Sequence, residues 1–436
     1  VPEPSPRPLG VALIGYAFMG RAHSQAWRTV SAAFDVPEFA RRVIVGRDEE
    51  EAVADAAQRL DWEEHATDWR EVIARDDIDI VDICTPGFLH AEIAIAALEA
   101  GKHVLCEKPL ANDTAEAEAM VEAARAATAR GQVAALGFTY RRVPALALAK
   151  QLVDAGRLGS IRQAKAAYLQ DWLVDAEAPM SWRLRKETAG SGALGDIGSH
   201  AIDQIQHLTG KRVTAVRGRL ATMVPERPGD DGPEPVTVDD AAWASLELDG
   251  GAIASVEVSR MATGAKNSLR IELFGADGAL RFDLESPNEL WFLDATVPIA
   301  EQGYARILVT EPEHPYLEAW WPQGHVLGWE NAFTNQARDL LLAIHDRDQP
   351  RFSPTSPRAS RCSVCSTRSS PPTPPTARPS PSEKEHHRYV SPAHPVHRPV
   401  GRPHPGRSRR TRGRLGIRRP RDRRRRRAPG RIPLGR

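Results

Sequence analysis

Residues 9–20 read Leu9-Gly10-Val11-Ala12-Leu13-Ile14-Gly15-Tyr16-Ala17-Phe18-Met19-Gly20. The apolar run Leu9–Ile14 has the composition of a buried strand, and Met19–Val30 carries the spacing of a helix. The glycines between them mark a tight turn. Outward from this unit the pattern repeats. Strands are expected at Arg42–Val45, Ile78–Cys84, His103–Cys106 and Gln132–Gly137, with helices at Glu49–Leu60, Ala91–Ala100 and Ala115–Arg130 between them. Short apolar strands that alternate with helices are buried on both faces. This predicts an α/β fold with a doubly wound parallel sheet of Rossmann type over residues 1–140.

After Tyr140 the texture changes. A helix at Ala145–Ala155 leads to a strand at Ile161–Leu169, and a second helix is expected at Asp196–Leu208. Alternating strands follow at Val213–Leu220, Ala241–Leu248, Ala252–Ser259, Ser268–Phe274 and Ala279–Leu284. Asp249-Gly250-Gly251 and Asp277-Gly278 are hairpin turn signals. Residues 141–352 are therefore read as an α+β domain with an open, mostly antiparallel sheet. Trp329–Ile344 is a last amphipathic helix, placed to return to the first domain.

The net charge of +1 conceals two unlike parts. From Ser353 to Arg436, 22 Arg and 1 Lys face 2 Glu and 1 Asp, whereas Val1–Phe352 holds 35 basic and 54 acidic residues. An acidic body argues against nucleic acid or an anionic membrane as partner. The tail has no hydrophobic periodicity and is expected to be disordered. Its bulk of Arg, Pro, Ser, Gly and Ala is what an out-of-frame reading of a GC-rich gene produces, and Val1 fits a GTG start. A frameshift product is the reading adopted for residues 353–436. Cys84 and Cys106 lie in strand-like runs, as in a reduced cytoplasmic protein, while Cys362-x-x-Cys365 lacks a second pair for zinc. No signal-peptide core or bilayer-length apolar run is present.

Four stretches carry chemistry. Gly15-Tyr16-Ala17-Phe18-Met19-Gly20 matches G-x-G-x-x-G except at Ala17, whose methyl crowds the phosphates. The helix that follows offers free N–H groups and a positive dipole end to a pyrophosphate. Arg47 and Asp48 end the second strand. An acid there suits the ribose of NAD and an arginine the 2′-phosphate of NADP, so either cofactor is accommodated. Thr85-Pro86 and Cys106-Glu107-Lys108-Pro109-Leu110 each follow a strand, at the edge where such sheets bind ligands. Gly195-Asp196-Ile197-Gly198-Ser199-His200-Ala201-Ile202-Asp203, if helical, places Asp196 and His200 at i and i+4 on one face. A histidine takes a hydroxyl proton near neutral pH, and a carboxylate orients substrate or imidazole. A metal site from Asp196, His200 and Asp203 lacks a further strong ligand, so no metal is expected.

Taken together, GYAFMG, the Thr85 to His90 stretch, CEKPL and GDIGSHAID resemble the glucose–fructose oxidoreductase/inositol dehydrogenase (Gfo/Idh/MocA) family, in order and approximate spacing, over roughly Leu9 to Ile344. The resemblance implies that Lys108, Asp196 and His200 form the catalytic group. His200 would be general base, Lys108 would anchor the reacting hydroxyl, and Asp196 would hold substrate and support the histidine. It implies a cofactor site of Gly15, Ala17, Phe18, Met19, Gly20, Arg47, Asp48, Thr85, Pro86, His90, Glu107 and Lys108. Trp172 and Arg183 would join the catalytic group in lining a sugar pocket; His314, Trp320, Trp321 and His325, clustered before the last helix, either close it or belong to the core. The implied activity is NAD- or NADP-dependent oxidation of a ring hydroxyl on a sugar, anhydrosugar or cyclic polyol, by a homodimer or homotetramer. Two other readings are an NAD-dependent glycoside hydrolase and a non-catalytic dinucleotide-binding regulator. The intact Lys–Asp–His set argues against the regulator. The tail does not resemble the family's C-terminal helix.

Overall fold

Val11 and Leu13 point to one side of the first strand, and Ala12 and Ile14 to the other; all four are buried. This double burial organises the first half of the chain. In the computed structural model, which describes residues 7–345, the strands β1 (Leu9–Ile14), β2 (Phe39–Val45), β3 (Glu64–Ala66), β4 (Ile80–Ile83), β5 (His103–Cys106) and β6 (Ala134–Leu136) form one parallel sheet. Its order is β3-β2-β1-β4-β5-β6, that of a dinucleotide-binding fold. The connecting helices are α1 (Phe18–Ala33), α2 (Glu50–Leu60), α3 (Trp69–Ile73), α4 (His90–Glu99) and α5 (Thr114–Ala129). Ile93, Ala97 and Met120 cover one face together with Ala12, Ile14, Val81 and Ile83.

The second half opens with α6 (Pro144–Asp154), β7 (Ile161–Leu169), α7 (Lys186–Ala189) and α8 (Ser199–Thr209). It continues with β8 (Val213–Ala221), β9 (Glu226–Gly229), β10 (Gly232–Pro235), β11 (Ala241–Leu248) and β12 (Ile253–Ser259). The last elements are β13 (Ser268–Gly275), β14 (Gly278–Asp283), β15 (Glu289–Asp294), β16 (Ala305–Leu308) and α9 (Asn331–His345). Eight strands form an open sheet, β16-β15-β14-β13-β7-β12-β11-β8. It is antiparallel except where β7 and β12 run parallel. Alternation is clean in β12, where Ala254, Val256 and Val258 face inward and Ile253, Ser255 and Glu257 outward. Leu146 and Ala149 of α6 and Ile205 and Leu208 of α8 cover the inner face. Helix α9 crosses back, and its Phe333, Ala337, Leu340 and Leu341 pack with Trp27, Val30 and Leu13 on the other face of the first sheet.

Several elements differ from the sequence reading. The segment expected to be helical from Asp196 begins as a π-helical turn, Leu194–Gly198, before α8 starts at Ser199. Strand β3 and helix α3 are short and highly charged, so they lacked an apolar signature. The β9–β10 hairpin is hidden by its prolines, Pro228, Pro233 and Pro235, which occupy a two-stranded ribbon with no central strand to interrupt. The tail at 353–436, with Cys362 and Cys365, lies outside the described residues. No helix among the described residues is long and apolar enough to cross a membrane.

Candidate active site

The β1–α1 turn is built for close approach. Gly15 has φ +96°, and a Cβ there would lie 2.8 Å from the Cys84 carbonyl oxygen. A Cβ on Gly20 would lie 2.0 Å from the Gly15 carbonyl oxygen, so only glycine lets α1 pack against its own turn. Ala17 has φ −68°, ordinary for any L-residue, so the missing glycine brings no backbone strain. No side chain caps α1, and its first-turn N–H groups are open to an anion. Uncapped donors beside a glycine turn fit a dinucleotide pyrophosphate. Thr85 and Pro86 after β4, and Glu107 and Lys108 after β5, border the same cleft, as do Ala17, Phe18 and Met19. The cleft has a volume of about 570 Å³.

Of the expected cofactor set, Gly15 and Gly20 shape the turn itself, and three further residues stand apart from the lining of this cleft. His90 is buried, with Nδ1 2.8 Å from the Pro109 carbonyl and Nε2 2.9 Å from that of Thr85. It ties the two loops together and does not line the cleft. Arg47 and Asp48 are exposed beyond β2, outside the cleft lining, and the Tyr16 hydroxyl donates to the Asp48 carboxylate. Burial first, and this carboxylate second, push the Tyr16 hydroxyl up to about 12.

At the centre of the cleft, Lys108 Nζ donates to the Asp196 carbonyl at 2.9 Å and to its Oδ1 at 3.0 Å. Arg260, after β12, donates from one terminal nitrogen to Asp196 Oδ2 at 3.0 Å. Burial disfavours a charged Asp196, but the two cations prevail and hold the carboxyl well below the usual range. Burial likewise opposes charge on Lys108, yet Asp196 and Glu107 leave its ammonium raised above 10.5. His200, from α8, packs its ring 4.6 Å from that of Tyr140. Burial, then the Lys108 charge, depress its pKa well below 6.5 despite Asp196, so the imidazole is neutral at physiological pH. Asp196 spends its oxygens on the two cations rather than on the His200 ring. Asp203 faces away, paired with Arg141.

The π turn that presents Asp196 is held from β11's entry. Asp239 accepts from the Gly192 amide at 2.9 Å and the Leu194 amide at 2.7 Å. Gly192 is required here, because its Cβ would lie 1.8 Å from the Asp239 carbonyl oxygen.

A hydrogen-bonded wall continues from His200. Trp329 Nε1 donates to the Tyr140 hydroxyl at 3.3 Å, which meets the Tyr168 hydroxyl at 2.8 Å. Tyr168 donates to Asn267 Oδ1 at 2.7 Å, and Gln170 donates to the same oxygen at 3.0 Å. Trp172, half exposed, donates to Gln170 at 3.0 Å, and Arg183 lies over the Trp182 ring; all four side chains border the cleft. His314, Trp320, Trp321 and His325 do not close the site. Trp320 donates to Asn335 inside the core, Trp321 and His325 are exposed, and His314 bonds its own loop at Glu311. Trp329 and Phe333 border the cleft instead, with Phe18 stacked on Trp329 at 5.6 Å.

Sequence reading missed Arg260, Tyr140, Tyr168 and Asn267. Tyr140 follows β6 in Phe138-Thr139-Tyr140-Arg141, a position equivalent to those after β4 and β5 that were singled out. Arg260, a charge set directly after an alternating strand, was the other available signal.

Beneath the cleft, His23, Asp82 and Cys84 place three potential metal-ligand atoms within 4.8 Å of one another. Those atoms are already engaged. His23 Nδ1 lies 2.9 Å from both Asp82 oxygens, Nε2 lies 3.2 Å from Glu107, and Trp27 Nε1 donates to Asp82 at 2.7 Å. Burial opposes a charged His23 ring, yet Asp82 raises it well above 6.5, and an imidazolium offers no lone pair to a metal.

A glycine turn for pyrophosphate, opening on a cleft that holds a Lys–Asp pair beside a neutral histidine, defines a dinucleotide-dependent oxidoreductase. Comparison with known proteins narrows this. The family model described as "Oxidoreductase family, NAD-binding Rossmann fold" matches residues 9–135, and "GFO/IDH/MocA C-terminal domain" matches residues 146–281. Levoglucosan dehydrogenase of Pseudarthrobacter phenanthrenivorans is 41% identical over 352 residues, which cover 77% of this chain and 89% of that protein. An oxidoreductase domain protein from Kribbella flavida has a solved structure that is 56% identical, with TM-score 0.77, over 78% of this chain and 91% of that one. A structure of levoglucosan dehydrogenase in complex with NADH and levoglucosan is 41% identical, with TM-score 0.74, over 78% and 90% of the two chains. The chain belongs to the Gfo/Idh/MocA family of NAD-binding oxidoreductases.

Proposed function

We propose that this chain is an NAD-dependent dehydrogenase that oxidises a ring hydroxyl of a compact sugar or cyclic polyol, with a levoglucosan-like anhydrosugar as first candidate. The observation that carries the reading is the Lys108–Asp196 pair at 3.0 Å in one cleft with a neutral His200. Gly15, Ala17 and Gly20 with the first turn of α1 would hold the pyrophosphate, and Thr85, Pro86 and Glu107 would border the nicotinamide. Asp48, at the end of β2 and bonded to Tyr16 of the glycine turn, would receive the ribose hydroxyls beyond the cleft itself, and the match to NAD-binding oxidoreductases favours NAD over NADP. When bound, the nicotinamide supplies a hydride acceptor at C4.

His200 takes the proton of the substrate hydroxyl, which a neutral imidazole does and an imidazolium does not. Lys108 donates a hydrogen bond to the same oxygen and stabilises the charge that develops there. Asp196 keeps Lys108 charged and aimed. The Trp172 ring offers an apolar face to the C–H side of a sugar, while Gln170 and Arg183 reach its other hydroxyls. The similarity to levoglucosan dehydrogenase supports this choice of ring. Free, buried Cys84 and Cys106 support a reducing cytoplasmic setting. The outward face of the second sheet exposes Val216, Leu220, Trp243, Ile253 and Trp291, which supports self-association there.

The test is NADH formation from NAD⁺, against NADP⁺, across levoglucosan, inositols and aldoses. Turnover of one ring polyol with NAD⁺, lost in His200→Ala, is expected. Turnover that survives His200→Ala and Lys108→Ala sinks the assignment of the site.

A further inference from the structure

Arg260 is the buried charge that the chemistry above does not use directly. Its side chain is 2% exposed, and one terminal nitrogen is shared between the Gly192 carbonyl at 2.9 Å and Asp196 Oδ2 at 3.0 Å. Nε and the other terminal nitrogen are buried without a hydrogen-bond partner among the described residues. The guanidinium lies over the Trp172 ring, 5.5 Å from its centroid. The Arg260 backbone joins in as well, because its carbonyl accepts from the Leu173 amide at 3.2 Å and its own amide donates to Asp240 at 2.9 Å.

As a stabilising device this is poor. A buried guanidinium with two unmet donors is expensive, and an apolar side chain of similar shape would serve packing equally well or better. Its contacts make sense as aim rather than strength. Arg260 reaches Gly192, just before the π turn, and Asp196 at the middle of it, and at the same time underlies the ring beside which a substrate would sit.

We propose that Arg260 is the positioning residue of the reacting centre: it fixes one oxygen of Asp196 so that the other stays on Lys108, and it holds Trp172 in register with that pair. The inference rests on the reading of Lys108, Asp196 and His200 as the reacting group. The charged and titratable groups that face Asp196 are Lys108 from the turn after β5, Arg260 from the end of β12, His200 from α8, Tyr168 from β7 and Arg183 from the loop before α7. Of these, Lys108 and Arg260 contact the carboxylate, so losing Arg260 removes one of its two direct cations.

The experiment compares wild type, Arg260→Met and Arg260→Lys as full-length protein, with NAD⁺ and levoglucosan. In Arg260→Met, kcat should fall about 100-fold, the effect of a misplacement near 1 Å. NAD⁺ KM and thermal stability should hold, and the acid limb of kcat should move upward, because a cation that disfavours protonation of the reacting group is gone. Arg260→Lys should recover part of kcat, since it restores charge but not the planar fork. Wild-type kcat in Arg260→Met would overturn the proposal. So would parallel losses of kcat and stability with an unmoved pH profile and no recovery in Arg260→Lys, the signature of a purely structural residue.

A second readout needs no substrate. Infrared titration of the Asp196 carboxylate, as wild type minus Asp196→Asn, should lose its carboxylate band at higher pH on the Arg260→Met background. An unmoved band would overturn the proposal even if turnover changed. If wild-type protein leaves levoglucosan untouched, the substrate reading fails, and the infrared titration still decides the role of Arg260.

Discussion

Gly20→Ala is the sharpest perturbation of the cofactor turn. The added Cβ would stand 2.0 Å from the Gly15 carbonyl oxygen and 2.9 Å from its carbon. Ordinary carbon–oxygen contact needs about 3.3 Å, so α1 must withdraw from the turn by about 1 Å. Overpacking of this kind costs about 1–3 kcal/mol. The same shift moves the uncapped N–H groups of the first turn off the pyrophosphate. One hydrogen bond to a charged partner is worth about 1.5–3 kcal/mol, which converts to about 10- to 100-fold in affinity. NADH titration by fluorescence, together with a melting curve, reads both effects. Gly20→Ala should bind NADH about 10- to 100-fold more weakly and melt several degrees lower, at about 2 °C per kcal/mol for a chain of this size. Ala17→Gly is the control at the same turn, because it removes a methyl without creating an overlap. Wild-type affinity and melting in Gly20→Ala would refute the reasoning, since it would mean that the turn is not as close as described.

Three further outcomes are expected. Lys108→Met should lower kcat about 10²- to 10³-fold, the cost of losing one oxyanion-type donor. NADH affinity should persist, because Arg260 still satisfies Asp196; kinetics with parallel NADH titration check this. In pH profiles, kcat/KM should stay level through neutrality. His200 protonates only well below 6.5 and Lys108 stays charged past 10.5, so the acid limb lies under the first value and any Lys108 limb above the second. Lys108→Met should move the acid limb upward, because the ammonium disfavours the imidazolium; a downward shift would reverse the electrostatic argument. Asp239→Ala should strip the Gly192 and Leu194 amides of their buried acceptor, at about 1–3 kcal/mol for each unsatisfied group. Denaturant melts measure that loss, and kcat should fall with it because the turn carries Asp196.

The first sheet was legible because its strands are apolar on both faces and its glycines sit where strand meets helix. Lys108, Asp196 and His200 were legible because their motifs are contiguous. Arg260, Tyr168 and Asn267 were not, since they come from strands and a loop whose relation to Lys108 depends on the β7–β12 and β7–β13 pairings. Tyr168 in particular reads as one more inward residue of an alternating strand. Its hydroxyl enters the cleft only because Tyr140 and Asn267 meet it there. Asp196 and His200 do line one cleft, as their i,i+4 spacing suggested, but they do not share one regular α-helix. A π turn held by Asp239 separates them, and the partners of Asp196 proved to be cations from elsewhere in the chain. Of the two readings open for His314, Trp320, Trp321 and His325, Trp320 follows the core one, because proximity in sequence to the last helix is not proximity to its cleft-facing end, which Trp329 and Phe333 occupy.

The central claim is hydride transfer from a ring carbinol carbon. Levoglucosan carrying deuterium on its ring carbons, incubated with NAD⁺ and this protein, tests it through the mass of the NADH formed. Deuterium is expected in the reduced nicotinamide, and none when His200→Ala replaces the wild type. Sugar consumed without deuterated NADH would contradict it and would point to glycoside cleavage instead.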